Sequence, residues 1–162
     1  MWMRRFLPAL LLALPALALA QQPATPSPLE TMKANARSIV NAAERERWNA
    51  NVRLWTIELA QPGPVANKDL AKMSQLLEQM RLNVGKIRVT TEKERWDANV
   101  EMWRVLIEHR GVLASPAAAT LAPVFARMKA NVAEIAQPAE RERWMANCDL
   151  WQSVMARAAA AF

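Results

Sequence analysis

The chain has 162 residues, 52% of them hydrophobic and 22% charged, with a formal charge of +6 and one cysteine. That length suits one domain with a worthwhile core and argues against two separate domains. The lone Cys148 excludes an internal disulfide, and the basic excess is too interleaved with acidic residues to form a nucleic-acid-binding stripe, so no nucleic-acid partner is expected.

The chain opens with Arg4 and Arg5, an apolar run from Phe6 to Leu19, and the small-residue site Ala18-Leu19-Ala20 before Gln21 and Gln22. A charged start, an apolar stretch and small closing residues make a secretory signal peptide over residues 1–20. The run is shorter than the roughly 20 apolar residues that a spanning helix needs, and Pro8 and Pro15 weaken it as an anchor. Cleavage after Ala20 is expected, giving a periplasmic or secreted protein. Losing Arg4 and Arg5 lowers the basic count from 21 to 19 against 15 acidic residues, a net charge of +4. Gln21, not a cysteine, stands directly after the cleavage site, so no lipid anchor is expected there, and no later stretch is apolar enough to span a membrane. Residues 21–28 read as a Pro-rich, disordered lead-in.

From residue 29 to 162 the sequence reads as one domain in which a 48-residue unit is written three times, over about 29–60, 68–110 and 116–158. At that offset Met32, Met80 and Met128 coincide, as do Asn35, Asn83 and Asn131, and Ile39, Ile87 and Ile135. The second half matches more closely: Glu44-Arg45-Glu46-Arg47-Trp48 returns as Glu92-Lys93-Glu94-Arg95-Trp96 and as Glu140-Arg141-Glu142-Arg143-Trp144. Asn51, Asn99 and Asn147 follow, and Trp55, Trp103 and Trp151 complete the copies. A period of this size points to stacked helical units.

Met32, Ala36 and Ile39 mark one helical stripe in the first unit; Trp48, Val52, Trp55 and Leu59 mark a second. Between Ile39 and Trp48 lie nine steps of about 100°, which put the second stripe opposite the first, so each unit breaks into two helices. Local chemistry agrees. Pro138 suits a first helical turn, Thr91 with Glu94 makes a capping-box pattern, and Asn41 precedes Glu44 by three. Gln61-Pro62-Gly63-Pro64 and the segment from Gly111 to Pro116 mark the connections between units. The fold class is all-α: three tandem helical-hairpin repeats, six helices in all, stacked as a short solenoid or closed as a helical bundle.

The recurring residues are also the candidate binding residues. Trp48, Trp55, Trp96, Trp103, Trp144 and Trp151 suit either a core or an aromatic groove that stacks on a ligand. Asn51, Asn99 and Asn147 stand beside them, where a helix interior disfavours Asn unless its amide is paired. Their amides serve either to satisfy neighbours or to read an extended peptide. Glu44, Glu46 and Arg47 fit helix capping and solvated pairing better than a catalytic pair, since carboxylates two apart on a helix diverge. Cys148 stands where Val52 and Val100 stand and reads as a buried hydrophobe, an intermolecular disulfide in a homo-oligomer being the alternative. His109 has no second His to share a metal with.

The expected function is that of an exported, non-enzymatic binding or scaffold protein, without cofactor or metal, engaging a protein or peptide partner in the cell envelope. Two alternatives stand beside it. One is periplasmic copper or silver handling through Met32, Met80 and Met128, because thioethers suit soft ions. The other is an envelope enzyme whose site follows no familiar pattern.

Overall fold

A computed structural model describes residues 26–160, so the signal peptide and residues 21–25 lie outside the described residues. The described chain is all-helical: α1 (Pro28–Arg37), α2 (Ala42–Leu59), α3 (Asn67–Val84), α4 (Thr90–Glu108), α5 (Ser115–Ala133) and α6 (Pro138–Ala160). None of these helices is long and apolar enough to cross a membrane.

The breaks fall where phase and capping place them. Ser27 caps α1 by accepting from the Glu30 N–H, and Asn41 caps α2 by accepting from the Glu44 N–H at 2.9 Å. The third unit uses a longer side chain for the same purpose, Gln137 accepting from the Glu140 N–H at 2.6 Å ahead of Pro138. The second unit departs from expectation. Thr91 lies inside α4, whose first residue is Thr90, and the cap residue Val89 provides no side-chain bond. The Thr91–Glu94 pattern is therefore not a capping box here, and packing holds that helix start instead.

α2, α4 and α6 form the centre, and each outer helix wedges between two of them: α3 between α2 and α4, α5 between α4 and α6, α1 between α6 and α2. The last contact joins the first unit to the third, so the circuit of units is closed. Within each unit the outer helix runs antiparallel to its inner partner, as the short link after α1 requires. Met32, Ala36, Ile39 and their counterparts Met80, Val84, Met128, Val132 and Ile135 are buried, as the outer stripe predicts.

The inner helices are turned differently from the apolar reading. Leu59 is 46% exposed and Val52 only half-buried, whereas Asn51 is 0% and Glu58 4% exposed. The stripe facing the centre is thus Trp48, Asn51, Trp55 and Glu58, repeated as Trp96, Asn99, Trp103, Leu106 and as Trp144, Asn147, Trp151, Val154. A hydrophobicity pattern passes over it because two of its four positions in the first unit are polar.

Candidate functional site

All nine residues singled out by the repeat meet at the centre. Trp48, Trp96 and Trp144 form a triangle of edge-to-face rings with centroids 4.8–5.0 Å apart, and Trp55, Trp103 and Trp151 form a second at 4.5–4.8 Å. Edge-to-face contact sets the positive rim of one ring on the negative face of the next. Each indole buries enough area to contribute roughly 4–6 kcal/mol before entropy is charged against it.

Between the two triangles lies a ring of amides. Asn51 donates to the Asn147 oxygen at 2.9 Å, Asn147 to that of Asn99 at 3.0 Å, and Asn99 to that of Asn51 at 3.1 Å. Each oxygen accepts a second bond of 2.8 Å from a tryptophan of the lower triangle: Trp55 to Asn147, Trp103 to Asn51, Trp151 to Asn99. The second amide hydrogens of Asn51 and Asn99 lie toward the sulfurs of Met32 and Met80, at 4.0 and 3.9 Å. Every polar atom of the layer is therefore paired, which makes three buried amides tolerable and fixes the helices at one height. A groove lined by these rings and amides does not exist: the six tryptophans and three asparagines are at most 1% exposed. The amides and the ring nitrogens of Trp55, Trp103 and Trp151 are spent on one another, and Trp48, Trp96 and Trp144 are closed off by burial, so the binding role expected of Trp48, Asn51, Trp55 and their copies gives way to core construction.

The charged run above the upper triangle also pairs between units. Arg47 reaches Glu92 at 2.7 Å, Arg95 reaches Glu140 at 3.0 Å and Arg143 reaches Glu44 at 2.9 Å. These arginines are 4–7% exposed, so they are not the solvated helix pairs that their spacing suggested. Each guanidinium lies 5.5–5.9 Å over the next unit's indole, a cation–π contact, and its buried Nε has no hydrogen-bond partner. Glu46, Glu94 and Glu142 accept from Asn83, Asn131 and Asn35 on the adjoining outer helices.

With the recurring residues used inside, the surface clefts carry what differs between copies. The α2/α3 cleft, about 500 Å³, is lined by Asn49, Arg53, Gln79 and Lys86. The equivalent α4/α5 cleft, about 430 Å³, presents Asp97, Glu101 and Arg127. One position thus reads Asn49, Asp97, Met145 and another Arg53, Glu101, Asp149 across the copies. The first cleft carries Arg53 and Lys86 against Glu46; the second carries Glu94, Asp97 and Glu101 against Arg127. Hydrogen bonds from Arg104 hold the Glu101 carboxyl below the usual carboxylate range and keep it ionised. In the third copy Met145 stands 55% exposed.

The remaining candidates are placed as follows. Met32, Met80 and Met128 are buried on three different outer helices, and no cluster of three or more His, Cys, Asp or Glu is suited to a metal among the described residues. His109 caps the end of α4 at the surface. Cys148 is 5% exposed, and burial pushes its thiol up to about 12. Only the thiolate attacks, so iodoacetamide at mildly alkaline pH is expected to leave Cys148 unmodified in the folded chain and to label it fully after denaturation. Mass spectrometry of intact protein reads the difference, and rapid labelling under native conditions would contradict it.

Glu58 breaks the threefold pattern, standing where the other copies have Leu106 and Val154. Its carboxylate is buried, its Oε2 has no partner, and Arg157 approaches Oε1 only to 3.6 Å. Glu58→Leu should stabilise the fold at neutral pH by about 1–3 kcal/mol, since an apolar isostere removes an uncompensated burial cost. Burial raises this carboxyl above its ordinary value of 4.5. Its contribution to stability is therefore full below 4.5 and is lost as pH climbs through the raised folded value. The advantage of the Leu variant should widen as pH rises across that window, as urea melts at a series of pH values would record; a constant gap would refute the assignment.

In comparisons with known proteins, no family model, curated protein or solved structure matches the chain.

Proposed function

We propose that the protein is an exported, non-enzymatic scaffold whose inter-unit clefts hold a protein partner in the cell envelope. One observation supports it most: the frame is the same in all three units, while equivalent cleft positions change in charge, from Arg53 beside α3 to Glu101 beside α5. A rigid frame with differing recesses binds an asymmetric surface in one orientation, because opposite charges set side by side penalise every other register. The leader over residues 1–20 supports export. A photo-crosslinking residue at Gln79, on the rim of the basic cleft, tests the reading in intact cells. A discrete protein adduct that disappears with Arg53→Glu is the expected result. An absence of any discrete adduct from Gln79, and equally from Arg127 in the second cleft, would overturn it.

A further inference from the structure

We infer that the pocket at the lower end of the bundle is a binding site for a small aliphatic ammonium ion, held on Glu58. The pocket encloses about 330 Å³ and lies where the connection after α2, the end of α4 and the last turns of α6 come together. Pro62, Pro64, Leu113, Val154 and Ala158 give it apolar walls, Gln61 and Arg157 stand among the lining residues as well, and Glu58 is the only carboxylate there. A buried carboxylate without a hydrogen bond is costly, and a donor brought to Oε1 by a ligand lowers that cost, while Oε2 stays closed off.

Three features select a cation. α2 ends beside the pocket with no basic residue in its last turn, so its negative dipole end is uncompensated by its own side chains. The approach to Oε2 is closed by Gly111, where an added Cβ would stand 2.6 Å from Oε2 and 2.6 Å from Val65 Cγ2. Gly111 adopts φ +82°, and Val65 is tied to the same corner by its N–H donating to the Arg110 carbonyl at 2.8 Å. This leaves Oε1 as the oxygen available to a guest. Finally, the cation now nearest to it, Arg157, has a side chain 59% exposed and makes no hydrogen bond to Oε1 at 3.6 Å, so a guest ammonium displaces it at little cost. The volume and the Pro, Leu and Val walls suit a short alkyl tail. The site is independent of the clefts assigned to a protein partner.

Titration of the full chain with butylammonium, and separately with butyrate, tests the inference by NMR of the Leu113 and Val154 methyl groups. Saturable shifts with butylammonium and none with butyrate are expected. Glu58→Gln should weaken the binding by about tenfold or more, the usual value of a charge-assisted hydrogen bond. Arg157→Ala, a surface change that leaves the fold intact, should strengthen it by removing the competing cation. Equal shifts with the two ions, undiminished binding in Glu58→Gln, weaker binding in Arg157→Ala, or no shift at all would each overturn the assignment.

Discussion

Asn99→Ala should lower the stability of the fold by about 4 kcal/mol, a large share of what a domain of this size possesses. Its oxygen accepts from Trp151 and from Asn147, and its amide donates to Asn51. Truncation strands the indole N–H of Trp151 and one N–H of Asn147 in a site closed to water, each costing about 1–3 kcal/mol. Asn51 still accepts from Trp103, so its loss is smaller. Unfolding followed by circular dichroism should register a fall of roughly 10–15 °C in melting temperature. A loss below about 1 kcal/mol would mean that the amide ring contributes little beyond packing.

Trp103→Ala should cost about 4–5 kcal/mol, for a different reason. The Asn51 oxygen loses one donor but keeps Asn99, so few hydrogen-bonding groups are orphaned. What remains is a void the size of an indole facing Trp55 and Trp151, whose rings now lie 4.5 and 4.8 Å away. Trp103→Phe separates the contributions. Retaining most of the ring volume, it should cost only about 1–2 kcal/mol. If Phe proved as harmful as Ala in chemical denaturation, the indole N–H would matter more to stability than the bulk of the ring.

Much of this was legible in the residues. The period is plain because six tryptophans keep fixed offsets, and the helix pair follows from the phase between Ile39 and Trp48. The need of a buried Asn for paired neighbours was legible too, and the structure supplies them as the other asparagines and the ring nitrogens of Trp55, Trp103 and Trp151. Which copy supplies the partner was not legible. When Glu44, Glu92 and Glu140 are equivalent, sequence spacing favours Arg47 with Glu44 on the same helix, yet the bond goes to Glu92. The orientation of the inner helices was hidden for a related reason: Val52 and Leu59 are apolar but peripheral, while Asn51 and Glu58 are polar but central. Aligning Glu58 with Leu106 and Val154 would have exposed that position, since a carboxylate replacing two aliphatic residues marks a place where the copies part. The clefts were foreshadowed where the copies differ, at Asn49, Asp97 and Met145 and at Arg53, Glu101 and Asp149.

The closed circuit of contacts has a consequence for how the molecule came to be and how it fails. Every bond in the amide ring, every edge-to-face ring contact and every buried Arg–Glu pair crosses from one unit to another. A lone unit therefore keeps only the packing between its own two helices, and the central pairs form only when three copies meet. The protein is in effect a tethered homotrimer. A gene encoding a single unit could have yielded the same core by self-association, and a chain permuted to begin at its second unit should rebuild it, whereas deleting any one unit removes the core altogether.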